Sequence, residues 1–260
     1  MALISCDFFS EVLGFSTAMT VILPRPSKGQ IGVQEGALGG KPPVLYLLHG
    51  YSDNHTAWLR YSSIERYAAK LGIAVVMPNV HLSYYTDMKS GGKYWTFISE
   101  ELPSVVESFF HISTKRTRTF VAGLSMGGYG AFKLAFTYPD RFAGAASFSG
   151  GLDILSMYRK ATKQQKKLLK NTFGDIEKLP GSFNDLYSMA HNLYEEGVKS
   201  PMLYQCCGTD DFLYEDNLRF RDFLKQRDFN LFYEEAPGTH DWNFWDMAIQ
   251  RYLLLLSGTL

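Results

Sequence analysis

Gly123-Leu124-Ser125-Met126-Gly127 sets a serine between two glycines in a G-x-S-x-G pattern. A serine hydroxyl is a weak nucleophile at neutral pH. It attacks a carbonyl when a base takes its proton and a carboxylate orients that base. The pentapeptide falls where a strand-like run, Phe120-Val121-Ala122, meets a helix-forming run, Tyr129-Gly130-Ala131-Phe132. At such a junction the serine occupies a strained turn, and flanking glycines spare the adjoining strand and helix a side-chain clash. The competing reading is a glycine-rich phosphate cradle. No lysine follows in the Walker pattern, so the nucleophile reading is preferred.

Of six histidines, His191 and His240 follow Ser125. His191 lies in a polar stretch and reads as a surface or cap residue. His240 lies in Pro237-Gly238-Thr239-His240-Asp241-Trp242, between a strand-like run and the last helix, where an imidazole can reach over the serine turn. It is the expected base. The run Pro201–Cys207 ends in Gly208-Thr209-Asp210-Asp211-Phe212. Either aspartate can face the histidine, leaving the other to cap a turn or meet solvent.

The negative charge that develops on the attacked carbonyl needs two backbone N–H donors. Met126, next after the nucleophile, is expected to supply one. Tyr51, in the loop Leu48-His49-Gly50-Tyr51, is expected to supply the other, with Gly50 letting the backbone come close. His49 reads as a structural partner of that loop rather than as a catalytic group. His49, His55 and His81 lack a paired spacing such as H-E-x-x-H, so no metal is expected. Tyr84, Tyr85, Trp95 and Phe97 follow a strand end and are expected, with Gly50, to line a short acyl pocket. The bland alternative is that these aromatics fill the core.

The elements that must position these groups alternate strand and helix. Early strands are expected within Met1–Leu23, then a turn over Gly29–Pro43. Further strands are expected at Val44–Leu48, Ile73–Met77, Thr119–Leu124, Phe142–Phe148, Pro201–Cys207 and Asn230–Glu234. Helices are expected at Ile64–Leu71, Glu100–His111, Met126–Tyr138, Asn217–Arg227 and Trp242–Leu256. The pattern is that of an α/β fold, a mostly parallel sheet flanked by helices, in one domain over residues 1–260. The stretch Leu152–Lys199 is polar, helix-leaning and long for a crossover, and reads as a helical cap insertion. In open α/β sheets ligands bind beyond the carboxyl ends of the strands, which is where the candidate residues fall.

Composition excludes other classes. Lys plus Arg and Asp plus Glu are each 26, a net charge of zero that argues against nucleic acid as a partner. Apolar runs such as Val44–Leu48 fall far short of the ~20 residues of a spanning helix, so no membrane insertion is expected. No Lys or Arg precedes Arg25, and Cys6, Cys206 and Cys207 make no disulfide framework. A soluble, cytoplasmic protein is the expectation, and self-association into a homo-oligomer stays open. The run Arg159–Lys170 carries six positive and no negative side chains. Attraction of anionic substrates or membrane surfaces is one reading of it, and the solvated face of a helix is the preferred one.

Taken together, the quoted residues resemble the esterase D-like branch of the α/β-hydrolases. That branch holds S-formylglutathione hydrolases, feruloyl and acetyl-xylan esterases, and antigen 85 acyltransferases. The likeness is strongest to the tributyrin esterases. It runs from Asp7-Phe8-Phe9-Ser10-Glu11-Val12-Leu13-Gly14 through Gly123–Gly130 to His240-Asp241-Trp242-Asn243-Phe244-Trp245, and is weakest in Leu152–Lys199. Also family-like are Ser83-Tyr84-Tyr85-Thr86-Asp87 and Tyr138-Pro139-Asp140-Arg141-Phe142. The resemblance implies Ser125 as nucleophile, His240 as base, Asp211 as acid by its Gly-x-x-Asp spacing, and Tyr51 and Met126 as oxyanion donors. It implies no cofactor and a small-molecule acyl ester as substrate, acetyl to butyryl in length, in a serine carboxylesterase mechanism. Acetyl or feruloyl esters of carbohydrates are the alternative, as is an S-formylglutathione hydrolase-like thioester reaction. The loop His49–Asp53 differs from the one usual in S-formylglutathione hydrolases, and the start lacks the export signal of antigen 85 proteins. A non-catalytic binding module on the same fold is the competing class, although such modules usually lose a member of the catalytic set.

Overall fold

The computed structural model describes residues 1–25, 29, 31 and 40–258, so most of the turn expected over Gly29–Pro43 lies outside the described residues. Eight strands form one sheet: β1 (Ala2–Ser10), β2 (Phe15–Leu23), β3 (Val44–Leu48), β4 (Ala74–Pro78), β5 (Thr119–Leu124), β6 (Gly144–Phe148), β7 (Met202–Gly208) and β8 (Leu231–Ala236). Their spatial order is β1-β2-β4-β3-β5-β6-β7-β8. β1 and β2 pair antiparallel, as do β2 and β4. From β4 to β8 all pairings are parallel. Every residue of β3, β4, β5 and β6 is buried. Helices cover both faces of these strands, which is why they read as unbroken apolar runs rather than as an alternation.

The helices are α1 (Ala57–Tyr61), α2 (Ile64–Leu71), α3 (Tyr94–Thr96), α4 (Leu102–Phe109), α5 (Met126–Thr137), α6 (Ile154–Lys160), α7 (Lys163–Phe173), α8 (Leu186–Glu195), α9 (Tyr214–Lys225) and α10 (Trp242–Ser257). Val44, Tyr46, Leu48, Val76, Val121 and Leu203 face one core, with α4, α5, α8 and α9. Leu45, Leu47, Val75, Phe120, Ala122 and Tyr204 face the other, with α2 and α10. The alternation along each strand is the period of two that a pleated strand imposes.

Three differences from the sequence expectations have identifiable causes. The helix expected over Glu100–His111 begins earlier, at Tyr94, and passes through a π-helical turn at Phe97–Glu101 before α4. Pro103 lacks the N–H that would bond the Ser99 carbonyl, and Arg141 donates to that carbonyl instead at 2.5 Å. Helix α1 is only five residues long, too short to show a period in sequence. Within the expected cap, α6 and α7 form one wall over the strand ends, and Phe173 of α7 packs on Tyr84 and Tyr129 at ring distances of 5.6 and 6.0 Å. α8 instead packs into the helical layer, with Tyr187 against Phe220 and Phe223 at ring distances of 4.9 and 4.8 Å.

Candidate active site

β5 runs straight into α5 through Ser125, whose backbone is held at φ 51° and ψ −115°. That left-handed φ is costly for a residue with a side chain and persists only where the surroundings enforce it. They do so through Ser125 N–H donating to the Phe148 carbonyl at 2.9 Å and Gly151 N–H donating to the Ser125 carbonyl at 3.0 Å. A Cβ on Gly123 would stand 2.4 Å from the Gly127 backbone, and one on Gly127 would stand 2.5 Å from the Leu48 carbonyl oxygen. Both glycines are therefore required by close approach of strand, turn and helix.

His240 Nε2 lies 3.0 Å from Ser125 Oγ, and His240 Nδ1 lies 2.8 Å from Asp211 Oδ2. The Asp211 side chain is fully buried, and its Oδ1 accepts from Leu213 N–H at 2.9 Å. Asp210 turns outward and is exposed, and Thr209 Oγ1 lies 3.5 Å from its carboxylate. Of the adjacent aspartates, it is Asp211 that the fold turns toward the imidazole. His240 is held just ahead of α10, where Asp241 caps the helix by accepting from Phe244 N–H at 3.1 Å. His191 sits on α8 with half of its side chain exposed, 3.7 Å from Glu195, and takes no part in this cluster.

Met126 is the first residue of α5, and Tyr51 follows Gly50 in the loop after β3. Neither backbone N–H has an acceptor among the described residues, so both remain free to donate. A cavity of about 520 Å³ opens over Ser125 and His240. Its walls come from Tyr51 and Tyr84, from Met157, Lys160 and Leu169 of α6 and α7, and from Phe212, Trp242 and Trp245 beside the imidazole. The volume, and aromatic walls interleaved with polar side chains such as Asp53, Lys160, Gln165 and Asp216, suit a small organic molecule.

The model of the family described as "Putative esterase" matches residues 10–256. An acetyl esterase of Caldicellulosiruptor saccharolyticus is 34% identical over 258 residues, covering 96% of each chain. Among solved structures, the substrate-bound fluorophosphonate-binding serine hydrolase F of Staphylococcus aureus matches with a TM-score of 0.89 at 35% identity over 98% of each chain. The S-formylglutathione hydrolase FrmB of the same organism matches with a TM-score of 0.86, also at 35% identity and 98% of each chain. The chain belongs to this esterase family. It is a carboxylic ester hydrolase on the α/β-hydrolase fold.

Three of the aromatics expected to line the pocket of this esterase stand elsewhere. Tyr85 is fully buried beneath the loop and donates its hydroxyl to the His49 carbonyl at 2.9 Å, so it does not reach the cavity. Trp95 stacks on Tyr138 at 6.2 Å and lies under the Lys133 ammonium at 4.6 Å, in the core behind α5. Phe97 is buried there too. Gly50 contributes backbone and no wall: a Cβ there would stand 2.4 Å from Leu124 Cδ1. Only Tyr84 of the expected aromatics lines the cavity. Left-handed φ values of 51° at both Tyr84 and Tyr85 send the consecutive rings different ways, and residue type alone does not announce that twist.

Cavity residues that the sequence reading did not assign to the pocket include Met157, Lys160, Leu169, Phe212, Trp242, Trp245 and Asp216. Phe212 and Trp242 were next to the expected acid and base in sequence, and adjacency was the available signal. His49 has the structural role expected of it, bonding the Gly50 carbonyl through Nδ1 at 2.8 Å. His55 pairs with Thr20 Oγ1 at 2.8 Å. Among the described residues, no three His, Cys, Asp or Glu side chains converge as a metal-ligand set. Nor is any described helix long and apolar enough to cross a membrane. The outer face of the basic run is an open groove lined by Lys163, Lys166, Lys167 and Lys170.

Proposed function

We propose that the esterase hydrolyses short-chain acyl esters through Ser125, His240 and Asp211. The observation that carries this reading is the unbroken line of hydrogen bonds from Ser125 Oγ through the imidazole to the buried Asp211 carboxylate. Asp211 accepts the Nδ1 proton, which leaves Nε2 unprotonated and facing the serine hydroxyl. As Ser125 Oγ bonds the ester carbonyl carbon, its proton passes to Nε2. The carbonyl oxygen, now anionic, is met by the N–H groups of Tyr51 and Met126. The imidazolium gives the proton to the departing alcohol, leaving Ser125 acylated. Water then repeats the sequence, losing a proton to Nε2 and releasing the acid as the serine is re-protonated.

The short acyl preference is supported by the bulk of Tyr84, Phe212, Trp242 and Trp245 around the serine. The test is hydrolysis of p-nitrophenyl acetate, butyrate and laurate by wild type and Ser125→Ala, with a fluorophosphonate probe as a label for the nucleophile. Turnover of the short esters that disappears in Ser125→Ala, together with labelling that disappears, supports the reading. Equal rates in the two proteins overturn it in favour of a binding module, and preference for laurate overturns the short pocket.

A thioester substrate is the second reading, favoured by the similarity to the Staphylococcus aureus S-formylglutathione hydrolase. The same nucleophile would serve, since thiolate is a better leaving group than alkoxide. S-formylglutathione turned over faster than any oxygen ester would move the assignment to it. A higher rate on acetylated sugars or methyl ferulate would instead favour a carbohydrate esterase.

A further inference from the structure

We propose that His49 is a positioning residue that aims the Tyr51 N–H at the oxyanion, and that Tyr85 holds His49's own peptide in place for it. The inference rests on the reading of Tyr51 as an oxyanion donor. Its physical basis is the planarity of the peptide unit. The Gly50–Tyr51 peptide is trans, so the Gly50 carbonyl and the Tyr51 N–H point in opposite directions within one rigid plane. A group that fixes the carbonyl thereby fixes the N–H.

That carbonyl oxygen takes two bonds, from His49 Nδ1 at 2.8 Å and from Asp53 N–H at 3.3 Å. The tautomer is dictated on the far side of the ring. Val80 N–H points at His49 Nε2 at 3.1 Å, and a backbone N–H can only donate. Nε2 therefore carries the lone pair and Nδ1 carries the proton. His49 is 1% exposed, and burial pushes its pKa down to about 4, so this neutral tautomer persists at neutral pH. With both nitrogens engaged in backbone, His49 has no capacity left for proton transfer.

The preceding peptide is held too. Tyr85 donates its hydroxyl to the His49 carbonyl at 2.9 Å. Its ring lies so close to α5 that a Cβ on Gly130 would stand 2.5 Å from it. α5 begins with Met126, the other expected donor. A continuous series of contacts thus runs from the helix bearing one donor, through Tyr85 and His49, to the peptide bearing the other. Oxyanion stabilisation depends on donors held in place before the charge appears, so such a series acts on the transition state rather than on substrate binding.

Two substitutions separate positioning from packing. His49→Asn sets an amide nitrogen near the place of Nδ1 and retains the bond to Gly50. His49→Gln sets an amide oxygen near the place of Nε2, retaining the bond from Val80 and losing the one to Gly50. With p-nitrophenyl butyrate, His49→Gln is expected to lower kcat by about 10- to 100-fold with KM within about threefold, somewhat less than loss of an oxyanion donor outright. His49→Asn is expected to recover most of that kcat. Equal kcat in the two variants, or losses that track their thermal midpoints, would overturn the proposal. Tyr85→Phe keeps the ring and is the variant to read if His49→Gln does not fold. A lowered kcat at unchanged KM supports the relay, and a wild-type kcat sinks it. Ser125→Ala run alongside keeps the two failures apart. Residual turnover there removes the esterase mechanism itself, whereas an inactive Ser125→Ala with an unimpaired His49→Gln removes only the role of His49.

Discussion

His240 Nδ1 and Asp211 Oδ2 stand 2.8 Å apart, although 28 residues and the whole of α9 and β8 separate them in the chain. The carboxylate is sealed from solvent and the ring keeps 17% of its side chain exposed, so the pair joins a buried carboxylate to an imidazole that faces the cavity. Replacement of Asp211 by Asn removes the charge and allows the wrong tautomer. Asp211→Asn is therefore expected to lower kcat by about 10⁴-fold, as loss of the orienting carboxylate does in such triads. Asp210→Asn, on the exposed neighbour, should stay within a few-fold of wild type. Steady-state rates on p-nitrophenyl acetate check both, and the reverse order would exchange the roles of the two residues.

Gly127 admits no side chain. An added Cβ would press on the carbonyl oxygens of Leu48 and His49 at 2.5 and 2.8 Å, and backbone at the end of a central strand cannot step aside. Gly127→Ala is expected to lose about 3 kcal/mol of stability, at the upper end for overpacking. Urea unfolding followed by tryptophan fluorescence measures it. A shift below about 0.5 kcal/mol, the range of an ordinary surface substitution, would show that the turn is looser than its geometry indicates.

Asp216 ties α6 to α9. Its side chain on α9 is 1% exposed and accepts from Ser156 Oγ and Lys160 Nζ of α6, each at 2.9 Å, and from Arg219. Lys160 and Asp216 both line the cavity, so this ionic cluster helps to set where the α6 wall stands. Removing the charge by Asp216→Asn strands Lys160 and leaves Arg219 with Asp153, 3.6 Å away, as its remaining carboxylate. Both cations are half or more exposed and stay hydrated, so the cost is expected near 1–2 kcal/mol rather than the 3–5 of a fully buried pair. The loosened wall should raise the ratio of kcat/KM for p-nitrophenyl octanoate over acetate. An unchanged ratio would mean that α6 is held by packing alone.

Lys133 carries its amine through the core of α5, 0% exposed, to Asn184 Oδ1 at 2.6 Å and Thr86 Oγ1 at 2.9 Å. Burial pushes its pKa down to about 7, with Asp87 opposing the shift. The unfolded chain, with the ordinary lysine value of 10.5, holds this proton between pH 7 and 10.5 while the folded chain has released it. Stability therefore rises with pH across that window, and below it the cost of a buried charge is borne in full. Urea midpoints of wild type against Lys133→Met from pH 6 to 9.5 should show wild type gaining on the variant as pH increases. A pH-independent difference would mean that the amine stays charged throughout.

Much of the fold was legible because central strands and helices carry periodic apolar patterns. The bounds of β3, β5 and α2 coincide with those read from sequence, and the starts of α5 and α10 do as well. The limits of legibility fall where local rules give way to contacts. The π turn ahead of α4 answers to Arg141, 42 residues beyond the carbonyl it bonds. The hairpin of β1 and β2 closes on β4 rather than on β3, and strand order is not encoded in the composition of any one strand.

By itself the sequence determined which residue types were on hand for the chemistry: a serine between glycines, a late histidine, two candidate aspartates, and a His-Gly loop after the first parallel strand. These are local properties, set by backbone sterics and by the turn chemistry of neighbouring residues. Only the tertiary structure turned Asp211 rather than Asp210 toward the imidazole, sent Tyr85 into the core and Tyr84 to the cavity, and bonded His49 to the Gly50 carbonyl. The physical reason is common to all three. Each depends on where a side chain points after the chain has folded back on itself, and that direction is set by hydrogen bonds and packing between residues far apart in sequence.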